Sequence, residues 1–152
     1  MTRGEILDAV KQFLSLMEGA GPAEKREETL RLVLDRLALA YHFAEAPSDD
    51  RDYPAPPRAE YRVLRERISP LFPRYGFYNV ALDVTDLEGE PENGIADAID
   101  DLTDIAMDLH EVLARWEMTS EEDALFHFRF LFESHWGHHL RSLQLYLHAL
   151  AF

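Results

Sequence analysis

From Ile95 to Trp116 the chain repeats apolar and acidic residues with the period of a helix. Ile95, Ala98, Ile99, Leu102, Ile105, Ala106, Leu109, Leu113 and Trp116 fall on one side. Asp97, Asp101, Asp104, Asp108 and Glu111 fall on the other. A helix of this kind is not stable alone in water; it needs other helices against its stripe. That requirement commits the chain to helix-on-helix packing. The acids, lying opposite the stripe, are expected to form a solvated face, with Asp101 and Asp108 nearer the stripe and able to reach the last helix if the two helices pair antiparallel.

The rest of the sequence supplies the partners. Ile6, Leu7, Val10, Phe13, Leu14 and Met17 make an apolar stripe over residues 3–18, and Thr2 with Glu5 forms a capping-box pattern before it. Gly19-Ala20-Gly21-Pro22 separates this helix from a second, over about 23–44, so the two form a hairpin. Residues 47–57 are rich in Pro, Ser and Asp and read as an extended surface loop. A short helix over about 58–69 ends at Pro70, and an irregular aromatic segment follows, with Phe72, Tyr75, Phe77 and Tyr78. Tyr78 to Val84 could extend as a strand but has no evident partner. Ser120 with Glu121, Glu122 and Asp123 starts a last long helix that reaches the C-terminus. Its stripe is Leu125, Phe128, Phe132, Trp136, His139, Leu143, Leu147 and Leu150. The expectation is an all-α, bundle-like single domain over 1–152. It has about five helices, with the Pro-rich loop and the aromatic segment between helices two and four.

Charge and composition narrow the function. The net charge of -14 opposes binding to nucleic acid and to anionic membrane surfaces. No cysteine is present, which removes disulfides, thiol catalysis and cysteine-based zinc sites. No signal-peptide pattern opens the chain and no apolar run approaches membrane-spanning length. A cytoplasmic location is therefore expected.

Two stretches carry residues suited to chemistry. Asp97, Asp101, Asp104 and Asp108 recur at spacings of three and four, so they are neighbours that could hold a divalent cation. In Glu133-Ser134-His135-Trp136-Gly137-His138-His139-Leu140, His135 and His139 stand one turn apart and could share a metal. His138 points away. His139 falls near the middle of the apolar stripe, where a buried histidine bonded to a carboxylate is the other role. The metal candidates are thus Asp101, Asp104, Asp108, His135 and His139. Gly137 lies on the flank of the stripe, where a missing side chain permits a bend or a close approach. Glu24, Glu27 and Glu28, taken with the later aspartate pairs, have the spacing of all-helical nucleotide pyrophosphohydrolases. Such pairs are common in acidic helical chains, and the helix dipole accounts for the glutamates. A phosphate-binding glycine loop and a nucleophile elbow are both missing.

Asp100-Asp101-Leu102-Thr103-Asp104-Ile105, then Asp108-Leu109, and later His135-Trp136-Gly137-His138-His139-Leu140, resemble a bacterial all-helical family, the five-zero-six-three domain of unknown function. The resemblance implies a compact helical domain, and it implies that the Asp100 turn and the Trp136-Gly137 turn belong together. It brings no activity with it. Two functions are expected on these grounds. The leading one is a non-catalytic cytosolic module that binds a protein partner or self-associates, without a cofactor. The alternative is a metal-dependent hydrolase acting on a phosphate ester or nucleotide through the aspartates and histidines named above, with a divalent ion activating water.

Overall fold

In the computed structural model, which describes residues 1–152, helix α1 (Arg3–Met17) starts at a reciprocal cap. The Glu5 N–H donates to the Thr2 hydroxyl at 3.2 Å, and the Thr2 N–H donates to the Glu5 carboxylate at 2.6 Å. Gly19 and Gly21 turn the chain at φ of 88° and 80°, a region glycine enters without strain. A single 3-10 turn, Ala23–Lys25, then leads into α2 (Arg26–Tyr41), and α1 packs against α2. The Pro-rich stretch that follows forms no helix or strand and leads to α3 (Tyr61–Ile68).

The aromatic segment does find a strand partner. Strand β1 (Phe77–Ala81) pairs antiparallel with β2 (Asn93–Asp97), with Asn79 opposite Ile95. The sequence pattern placed Ile95 on the apolar stripe of a helix; it lies instead on the exposed face of this hairpin. Asp97 is the reason. Its carboxylate accepts from the Ile99 N–H at 2.9 Å and the Asp100 N–H at 3.4 Å, so the helix begins at Ala98. The Ala98 N–H itself still bonds back to the Gly76 carbonyl, which locks the hairpin to the helix start.

Helix α4 (Ala98–Met118) is central, touching α1, α3, α5 and α6. Ser120 caps α5 (Glu121–Leu131), which continues through a π-turn at Phe132–Trp136 into α6 (Gly137–Ala151) without leaving the helix. The core runs between these elements and includes Phe13, Leu34, Phe72, Leu102, Ile105, Phe128 and Trp136. The architecture is an all-α bundle of five helical rods with one small two-stranded sheet. No helix is long and apolar enough to cross a membrane.

Because α4 is surrounded, its acidic side is not the solvated face that its wheel suggests. Asp101 is 3% exposed and Asp108 is 1% exposed. Both lie under side chains from β1, the Pro-rich loop and the α5–α6 rod.

Candidate metal centre

The site is built from α4 on one side and the π-turn with the start of α6 on the other. A π-turn adds one residue to a helical turn and so rotates everything after it. The Gly137 N–H bonds to the Phe132 carbonyl five residues back. A Cβ on Gly137 would lie 2.4 Å from that carbonyl oxygen, so the turn closes only around glycine. The rotation brings Trp136, Leu140 and Leu143 into the core, with the Trp136 indole N–H donating to the Phe128 carbonyl at 3.3 Å. Leu140 thereby takes the central place that an uninterrupted helix assigns to His139. His139 moves to the edge of the stripe, toward the acids of α4.

Each histidine is held by one buried carboxylate. His139 Nδ1–H donates to Asp101 Oδ1 at 2.8 Å, and His135 Nδ1–H donates to Asp108 Oδ2 at 2.6 Å. The remaining carboxylate oxygens are also engaged. The Tyr78 hydroxyl of β1 donates to Asp101 Oδ2, and Arg58 faces Asp108 Oδ1 at 3.6 Å. Asp104 sits on α4 between the two, with Oδ2 at 3.4 Å from His139 Nε2. His135 Nε2 makes no hydrogen bond within the protein. The two imidazole rings meet edge to face, 5.0 Å between centroids. The side chains are 43% exposed at His135 and 22% at His139, so solvent reaches the site from the His135 side.

The charges are balanced unevenly. Burial pushes the Asp108 carboxyl above its usual range, against the pull of His135 and Arg58. Burial also raises Asp104, and the neighbouring charge of Asp100 raises it further. The bond to Asp101 raises His139, with burial opposing. Burial and the Asp101 bond both raise the Tyr78 hydroxyl. Asp104 thus faces two imidazoles while carrying a charge that its surroundings disfavour.

One ligand atom from each of Asp104, His135 and His139 can be chosen so that all lie within 4.8 Å of one another. Asp100, Asp101 and His139 form a second such set. In that set Asp101 is already committed to His139 and Tyr78, whereas in the first set His139 Nε2 and Asp104 Oδ2 face each other at 3.4 Å. The five residues singled out from sequence all meet here, yet they divide into two kinds. Asp104, His135 and His139 form a group that could hold a metal ion; Asp101 and Asp108 bond the two rings at Nδ1. Asp100 also accepts from the Tyr61 hydroxyl, whose pKa rises to about 12 through burial and that bond. His138 is exposed and points away. The glutamates of the α2 start take no part: Glu27 pairs with Arg74 at 3.4 Å and Glu28 with Lys25 at 3.2 Å. Tyr61, Tyr78 and Arg58 escaped the sequence reading. Tyr78 was visible only as one aromatic among several, because nothing local links it to an aspartate on another element.

A family model described as a domain of unknown function, DUF5063, matches residues 2–152. The chain belongs to the DUF5063 family. Among solved structures it is similar to protein BF1032 from Bacteroides fragilis, with a TM-score of 0.75 at 18% identity. That likeness covers 97% of this chain and 90% of the other. It shows that the two share a fold. No curated protein matches the chain. The DUF5063 description names no activity, so the site's chemistry rests on its own geometry.

Proposed function

We propose that this DUF5063 protein binds a divalent transition-metal ion through Asp104, His135 and His139, and uses it as a Lewis acid toward water. The observation that carries the reading is the pair of Nδ1-anchored imidazoles. A carboxylate behind each ring fixes the tautomer and leaves Nε2 as a lone-pair donor, the arrangement that supports metal-ligating histidines. Two imidazoles and one carboxylate suit Zn²⁺, Fe²⁺ or Mn²⁺ and leave coordination positions open. The His135 side chain is 43% exposed, so water and a substrate could reach an ion held by it. Hydrolysis is the chemistry that such an ion supplies. A separate surface, the β1–β2 hairpin, supports the partner-binding reading.

Untagged protein, dialysed free of metal and titrated calorimetrically with Zn²⁺ and Mn²⁺, tests the proposal. One ion per chain is expected, with binding abolished in His135→Ala/His139→Ala and in Asp104→Asn. A wild-type chain that takes up no ion, or one whose affinity survives both variants, refutes the assignment.

A further inference from the structure

The β1–β2 hairpin has three features that belong together. Its outer face carries Phe77 and Ile95, and its loop carries Leu87; they are exposed at 76%, 78% and 93%. Leu82, which lies over Gly94 on the other face, and Val84 in the loop are exposed as well. Soluble chains rarely leave so much apolar surface on one projection without a use for it. The second feature is charge. Asp83, Asp86, Glu88, Glu90 and Glu92 surround these residues, and neither Lys nor Arg occurs between Arg74 and Arg115. The third is the backbone. No main-chain group of Phe77–Ala81 or Asn93–Asp97 bonds to any strand but its partner, so both outer edges are open. A two-stranded sheet of five-residue strands is marginal in water, and a third strand completes it.

We infer that the hairpin is a docking site for an extended, basic and apolar segment of a partner protein, which adds as a third strand. Main-chain bonds to the open edge supply affinity, as in other strand additions. Alternate apolar side chains of the partner cover Phe77 and Ile95, and its Lys or Arg side chains meet the loop acids. A second copy of this chain is the poorer occupant, because its hairpin would bring the same acids against these. The hairpin is also tied to the body through Tyr78 and through the Ala98–Gly76 bond, so it presents a fixed edge.

The test uses the full chain and two fluorescent peptides of about eight residues, the length of a typical strand. One alternates Lys and Val; the other has the same composition with its Lys and Val in separate blocks. Fluorescence anisotropy should show the alternating peptide binding about tenfold tighter or better. Phe77→Ser/Ile95→Ser, both exposed positions, should remove about tenfold of that affinity while circular dichroism and the melting temperature stay unchanged. Hydrogen exchange should slow along one outer edge of the sheet when the alternating peptide is bound. Equal affinity for the two peptides, or binding indifferent to the double variant, would mean that charge alone attracts them and would overturn the inference. A wild-type dimer that dissociates in the double variant would assign the surface to a second copy and overturn it equally.

Discussion

At the scale of single residues, Asp101 and Asp104 separate two roles that their spacing makes look alike. Asp104 presents an oxygen toward His139 Nε2; Asp101 reaches the same ring only from behind, at Nδ1. Asp101→Asn keeps an oxygen for Tyr78 or for His139 but removes the charge that fixes the tautomer. It is expected to weaken metal binding by about 10–100-fold without abolishing it, measured by calorimetric titration. Asp104→Asn is expected to abolish binding under the same conditions. His139 also makes a prediction for the metal-free protein. Its pKa is raised above the ordinary 6.5, chiefly by the bond to Asp101. A group whose folded pKa exceeds its unfolded one stabilises fully below the unfolded value and loses that contribution as pH rises through the folded value. The melting-temperature difference between wild type and His139→Gln should therefore be largest below pH 6.5 and shrink as pH rises through the raised value. A difference that grows with pH would show that the Asp101 bond does not hold the imidazolium.

At the scale of elements, two glycines, each too close to a neighbour to admit a Cβ freely, should behave differently. On Gly137 an added Cβ meets the Phe132 carbonyl, a backbone atom inside the π-turn, at 2.4 Å. On Gly94 it meets the tip of Leu82 at 2.6 Å, a flexible side chain at the hairpin's exposed end. Gly137→Ala is expected to cost about 1–3 kcal/mol in urea unfolding, because that backbone carbonyl cannot step aside. It should also weaken metal binding, since the turn sets the direction of His135 and His139. Gly94→Ala should stay within about 0.5 kcal/mol of wild type. The same π-turn marks where sequence reasoning reached its limit. The helical rods, their caps at Thr2 and Ser120, and the five candidate residues that meet between α4 and α6 were legible, because each rests on local spacing. The roles within the site were not. A wheel assumes a constant pitch, so it centred His139 and missed Leu140. It also assumed that acids opposite an apolar stripe meet water, whereas α4 is covered on that side by Tyr78, Arg58 and the histidines. The hairpin was half visible: Tyr78 to Val84 could extend but showed no partner, because that partner was hidden in residues whose apolar spacing matched a helix until Asp97 capped it.

At the scale of the whole molecule, the site joins parts of the chain far apart in sequence. Its metal candidates come from α4 and the π-turn with α6, and its supports come from β1 at Tyr78 and the Pro-rich loop at Arg58. In the unfolded chain these groups are dispersed, so an ion bound at Asp104, His135 and His139 binds the folded state far better than the unfolded one. Mass action then makes stability depend on free metal. At a free ion concentration of about 100 times Kd, the stabilisation is about 2.7 kcal/mol. For a domain of this size that corresponds to a rise of about 5–10 °C in melting temperature. The rise should disappear on adding a chelator and be absent in His135→Ala/His139→Ala, whose own melting temperature is the baseline. A chain that melts at the same temperature with and without Zn²⁺ or Mn²⁺ would leave the His–Asp pairs as cross-braces between α4 and α6. The double variant would then lower the melting temperature whether or not an ion was present, and that pattern distinguishes a brace from a metal centre.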